Sequence, residues 1–127
     1  MRNELQFSVS KLSDAIRKLQ DGVTEAKDEL TRDGVIQRFE FTFELLWKSL
    51  KVFLEEEGVI CKTPKECLKS AFRIGLIEDE GTFLNMLEDR NKTSHIYSRE
   101  ESEEIFQRIK ENYLPQLSKI LDKLKKK

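Results

Sequence analysis

Phe39-Glu40-Phe41-Thr42-Phe43-Glu44-Leu45 admits two readings, and the fold class turns on the choice between them. Apolar and polar residues alternate with period two, the pattern of a half-buried strand. The same residues also fit a longer register. Ile36, Phe39, Phe43, Leu46, Leu50 and Phe53 advance in steps of three and four, which puts them on one face of a helix. Three features decide for the helix: the stripe runs past the alternating piece on both sides, no turn residue bounds that piece, and the segment is too long for an ordinary strand. The spacing predicts a helix from Val35 to Glu57, stopped by Gly58.

That helix leaves a remainder. Phe41, Leu45 and Val52 fall on the far side from the main stripe, near Lys48. A helix with two apolar faces is either central in its bundle or shared between subunits. No helix is surrounded in a small bundle, so this second face is expected to form a homodimer interface. A well-packed monomer is the alternative.

Upstream, Leu12, Ala15, Ile16, Leu19, Val23, Ala26 and Leu30 form a stripe of their own. This first helix is expected to start near Ser8 or Ser10. It should break at Thr31-Arg32-Asp33-Gly34, with Thr31 or Asp33 capping the next helix. So short a break implies an antiparallel neighbour. Downstream, Thr63-Pro64-Lys65-Glu66 is a helix start, with Thr63 as cap and Pro64 in the first turn. The short helix that follows should turn Cys67, Leu68, Ala71 and Phe72 inward and end at Gly75. Another begins at about Asp79 to Thr82, burying Phe83, Leu84, Met86 and Leu87. Ser98-Arg99-Glu100-Glu101 is a capping box for the last helix, whose stripe is Ile105, Phe106, Ile109, Tyr113, Leu117, Ile120 and Leu124. Pro115 lies inside it and should kink it or mark a local break. The expected fold is all-α: an antiparallel four-helix up-and-down bundle with one additional short helix, in a single domain spanning residues 1–127.

Composition sets outer limits. With 38% hydrophobic and 37% charged residues, and only five glycines and two prolines, the chain suits long helices with solvated outer faces. The net charge of −1 provides no global field for holding nucleic acid, so any RNA contact is local. The lysines at 123 and 125–127 read as a solubilising tail. Cys61 and Cys67 lack the partners of a zinc pattern and read as free thiols, Cys67 as core. No leader-like or membrane-spanning run is found, so a cytoplasmic location is expected, with no membrane partner.

One stretch is not explained by burial. Asp89-Arg90-Asn91-Lys92-Thr93-Ser94-His95-Ile96-Tyr97 holds the only histidine in the chain. Arginine carries a permanent charge and a planar fork of donors suited to phosphate. Histidine, with an ordinary pKa of about 6.5, can act as acid or base near neutrality. Together they form a minimal kit for phosphodiester chemistry without a metal or other cofactor. A plainer role fits the spacing as well: Arg90 paired with Glu88 or Asp89, and His95 in a polar loop before the Ser98 cap. In a continuous helix Arg90 and His95 would stand about 140° and about 7.5 Å apart. To act on one phosphate, either the helix must break between them or two subunits must complete the site.

Arg90-x-x-x-x-His95-x-Tyr97 resembles the motif of HEPN domains. More closely, the chain is similar to the small HEPN proteins encoded beside minimal nucleotidyltransferases, described as nucleotidyltransferase substrate-binding proteins or HepT toxins. The resemblance extends over residues 32–45 with Trp47-Lys48, over Leu87-Glu88-Asp89-Arg90-Asn91, and over Tyr113-Leu114-Pro115. It implies a dimeric helical bundle with a metal-independent ribonuclease site at the dimer interface. There Arg90 and His95 would be catalytic, and Arg90 with Asn91 would bind substrate. It also implies a partner nucleotidyltransferase that silences the toxin by transferring AMP to Tyr97. The older view of the family makes such a chain a non-catalytic subunit that binds nucleotide or substrate. A Gly-rich phosphate loop is missing, so the chain does not read as the transferase itself.

Overall fold

The structure is a computed structural model that describes residues 2–95 and 98–127. Among the described residues all regular structure is helical. The order is α1 (Arg2–Glu25), α2 (Glu29–Glu56), α3 (Pro64–Arg73), α4 (Glu80–Lys92), α5 (Arg99–Arg108), a π turn (Ile109–Tyr113) and α6 (Leu114–Lys125). The alternating stretch of residues 39–45 is helical, as the longer register required.

Helix α1 starts earlier than its serines implied. The stripe of Leu12, Ala15, Ile16 and Leu19 continues back through Val9 and Leu5, all of them buried. Ser8 is therefore inside the helix, and its hydroxyl meets Ser49 Oγ on α2 at 2.6 Å. Thr42 Oγ1 reaches the Ala15 carbonyl and Arg38 Nη1 donates to the Lys18 carbonyl. Rising numbers on α1 meet falling numbers on α2, so the two helices run antiparallel.

The break between them lies at Ala26–Asp28, not at residues 31–34. Asp28 is the cap. Its carboxylate accepts from the Thr31 N–H, and Thr31 Oγ1 accepts from the Asp28 N–H. This reciprocal pair satisfies two donors that a helix start otherwise leaves open, so it outcompetes a start five residues later. Gly34 is carried inside α2, at a cost of about 1 kcal/mol relative to alanine. Leu30 then belongs to α2 instead of the α1 stripe, and it is 80% exposed.

Gly58 and Gly75 end α2 and α3 with φ of 82° and 85°. In both cases the next residue donates back across the turn, Val59 to Leu54 and Leu76 to Ala71. That closure needs a left-handed residue, which glycine adopts without strain. Thr63 caps α3 and Asp79 caps α4. On α3, Cys67, Leu68 and Ala71 are buried, but Phe72 is 42% exposed because it stands about 100° beyond Ala71 around the helix. The cysteines are not free: Cys61, just before the α3 cap, and Cys67, in its first turns, form a disulfide. The pairing across so short a loop was not evident from spacing, and it removes one ground for a cytoplasmic expectation.

α1 packs on α2 and α6, while α3, α4 and α5 also pack on α2. Phe39, Phe43, Leu46 and Leu50 are at most 1% exposed. Each such side chain contributes about 1.5–3 kcal/mol on burial. Ser98 makes its capping box with Glu101 and starts α5. The whole final stripe from Ile105 to Leu124 is buried. The break expected near Pro115 takes the form of the π turn, in which the Leu114 N–H donates to the Ile109 carbonyl five residues back. Proline has no N–H and its ring crowds the carbonyl four residues earlier, so a wider turn ahead of it relieves both.

Candidate functional site

The last turn of α4 carries Glu88, Asp89, Arg90, Asn91 and Lys92 in succession. Its apolar anchors, Phe83 and Met86, lie earlier in the helix. Polar contacts hold the end of α4 from two sides.

Arg90 faces α2. Its Nη2 donates to Glu44 Oε1 at 2.8 Å, with both side chains about one third exposed. Glu44 also accepts from Trp47 Nε1 at 3.3 Å and lies 3.9 Å from Lys48 Nζ. Among the described residues, Arg90 Nε is buried and meets no hydrogen-bond partner. Leaving such a donor unmet costs about 1–3 kcal/mol. One turn earlier on α2, Glu40 accepts from the Thr93 hydroxyl, which also lies 2.7 Å from the Arg90 carbonyl. The pairing of Arg90 with Glu88 or Asp89, possible on spacing, is not made; its partner comes from 46 positions away.

Asp89 faces the other way, toward α5 and the π turn, and is 3% exposed. Arg108 grips it with two bonds, Nε to Oδ2 at 2.7 Å and Nη2 to Oδ1 at 2.8 Å. The Tyr113 hydroxyl donates to Oδ2 as well. In an α-helix, residues five apart point about 140° away from each other. The π turn closes at five residues and brings Arg108 and Tyr113 round to the same carboxylate. Tyr113 is fully buried and stacks on Phe39 at 5.4 Å between ring centres. Its phenol is pushed well above the ordinary range, first by burial and then by the bond to Asp89, so it keeps its proton. The bonds to Asp89 push Arg108 further into its charged form. Beside this triad lies a cavity of about 280 Å³ lined by Glu88, Lys92, Glu101 and Glu104 among others.

α4 ends at Lys92, with Thr93 as C-cap. The backbone turns there: Ser94 Oγ donates to the Asn91 carbonyl and the His95 N–H donates to the Lys92 carbonyl. Asn91 and His95 are exposed. The helix therefore breaks between Arg90 and His95, and the angular separation of a continuous helix does not apply to them. Tyr97 lies outside the described residues.

Sequence reasoning missed Glu40, Glu44, Arg108 and the role of Asp89. For Tyr113 a signal existed. A tyrosine in an otherwise aliphatic and phenylalanine stripe carries a hydroxyl that burial obliges to find a partner.

No helix among the described residues is long and apolar enough to cross a membrane. Residues 3–126 match the family described as "nucleotidyltransferase substrate binding protein like". A Haemophilus influenzae protein named "Probable ribonuclease HepT" is 31% identical over 99 residues, covering 74% of this chain and 67% of the relative. A crystal structure of a Thermus thermophilus protein superposes with a TM-score of 0.83 at 33% identity, covering 89% of this chain and 98% of that one. HI0074 of Haemophilus influenzae, whose structure was described as the fold of a substrate binding domain of a nucleotidyltransferase, gives a TM-score of 0.70 at 26% identity, over 97% and 98% of the two chains. With nearly its whole length matched, the chain belongs to the nucleotidyltransferase substrate binding protein-like family, the family of the HepT-like proteins.

Proposed function

We propose that this chain is a metal-independent endoribonuclease of the HEPN toxin type. It is a single helical domain, an antiparallel four-helix up-and-down bundle with α3 as its short extra helix, and it works as a homodimer. A partner nucleotidyltransferase silences it by transferring AMP to Tyr97. The observation that carries the reading is Arg90: a half-buried guanidinium with one nitrogen on Glu44 and a buried Nε that meets no partner among the described residues, set just before a helix end that frees His95. A phosphate oxygen is the kind of acceptor that such a donor lacks.

In the proposed reaction His95 takes the proton of a ribose 2′-hydroxyl. The resulting oxygen attacks the adjacent phosphorus, the bond to the 5′-oxygen breaks, and a cyclic phosphate forms. The leaving 5′-oxygen takes a proton from the His95 of the second protomer, since each chain has only one histidine. Arg90 balances the charge that builds on the phosphoryl oxygens, with Asn91 as a neighbouring polar contact. The dimer is proposed to form through the outer face of α2, where Phe41 is 61% exposed and Leu45 and Val52 are half-buried. AMP on Tyr97 would add bulk and negative charge near Arg90 and obstruct the phosphate site.

The test uses purified, unmodified chain, checked by intact mass, incubated with total RNA and a chelator. Wild type is expected to cut. His95→Ala and Arg90→Ala are each expected to lose about a hundredfold or more. Cleavage unchanged in either variant would defeat the mechanism. A second reading, a non-catalytic subunit presenting nucleotide or substrate to the transferase, draws on the description given to the HI0074 structure. It expects no cleavage, and nucleotide binding that weakens in Arg90→Ala.

A further inference from the structure

We infer that Asp89, Arg108 and Tyr113 are positioning residues for the candidate site. Their clamp sets the rotation of the α4 end, and so decides where Arg90 and the turn that bears His95 point. The inference rests on the ribonuclease reading for its catalytic consequence, but the clamp's effect on Arg90 can be measured without it.

Stability alone does not call for this arrangement. A buried ion pair is often no more stabilising than apolar groups of the same volume, because desolvation offsets the attraction. Here a nearly buried carboxylate receives three hydrogen bonds, two from Arg108 and one from Tyr113. Apolar contacts would tolerate sliding and rotation of α4; three directional bonds to one carboxylate do not. Asp89 precedes Arg90, so the two side chains leave the helix about 100° apart. With Asp89 fixed against α5 and the π turn, Arg90 is turned onto α2, where Glu44 meets it. Thr93, one turn on, is fixed by Glu40. The guanidinium at the site is thus held by contacts on both sides of the helix, and the local break from α- to π-geometry is what lets Arg108 and Tyr113 converge.

Tyr113→Phe removes one oxygen and keeps the ring stacked on Phe39, and Arg108→Lys keeps the charge but loses the fork. Both are made in the full chain and checked for folding by thermal melting and for size by light scattering. Single-turnover cleavage of a short RNA oligonucleotide and its affinity by fluorescence anisotropy are then measured beside wild type and His95→Ala. The expected result is affinity within about twofold of wild type and a cleavage rate about tenfold to a hundredfold lower, the size of loss that small misplacements produce. A rate within twofold of wild type in both variants overturns the inference. The ¹⁵N-detected Nε–Hε resonance of Arg90, identified by its loss in Arg90→Lys, is recorded in wild type and Tyr113→Phe. A shift or line broadening in the variant supports positioning, and an unmoved signal overturns it. If wild type does not cut RNA, the ribonuclease reading fails while this resonance still decides the clamp.

Discussion

The α1–α2 pair and the end of α4 are fixed by different means. Between α1 and α2 the fit comes from two apolar stripes, with Leu12, Leu19, Phe39 and Leu46 almost completely buried. Polar contacts there are few and accessory, such as Ser8 to Ser49. At the end of α4 the weights are reversed. Leu87 is only half-buried, and Asp89, Arg90 and Thr93 are bonded to partners on α2, α5 and the π turn. Apolar packing sets distance and leaves orientation loose; hydrogen bonds to charged groups set orientation. A region that only holds the fold can rely on the first, whereas one that must aim a guanidinium needs the second.

The comparison can be broken most forcefully at Phe39, where the two regions touch through the stacked Tyr113 ring. Phe39→Ala is expected to cost about 3–5 kcal/mol, from lost transfer energy and the cavity left behind. Denaturant unfolding measures it. A cost near 1 kcal/mol would mean that the stripe is not the main support of the fold. Thr93→Val probes the other region. It keeps the branched shape and deletes the hydroxyl that lies between Glu40 and the Arg90 carbonyl. The expected stability loss is about 1 kcal/mol, the ordinary value of one hydrogen bond. Urea titration gives the number, and a cost as large as that of Phe39→Ala would erase the contrast between the regions.

The same contrast explains what was legible in the sequence. Helix periods survive in the order of residues, so the α2 stripe, the final stripe from Ile105 to Leu124, and the caps at Thr63 and Ser98 could all be read locally. Gly58 and Gly75 announced their own turns. Arg90 and His95 stood out by chemical type, but their surroundings did not. Glu44 is 46 positions from Arg90, and Arg108 is 19 from Asp89. Nothing in local spacing chooses those partners over Glu88. The shift of the α2 start to Glu29 was also hidden: the expected caps were Thr31 and Asp33, and the cap in the structure, Asp28, precedes both. What distinguished Asp28 was the return bond from Thr31.

Leu30 offers the smallest and sharpest test of that last point. If the first helix continued to Thr31, Leu30 would extend the α1 stripe and its loss would open the core. With α2 starting at Glu29, Leu30 sits in the first turn of α2 with 80% of its surface exposed. Leu30→Gln is then a surface change in a helical position, expected to alter stability by no more than about 0.5 kcal/mol. Thermal and urea melts of the variant beside wild type measure the difference. A loss of about 2 kcal/mol or more, the size of burying a leucine, would put Leu30 in the core and return the helix break to Thr31–Gly34. A change within the expected range leaves the apolar seam of α1 ending before Leu30, where Asp28 and Thr31 turn the chain, so that even in the apolar hairpin a pair of polar side chains fixes the register at which the two stripes meet.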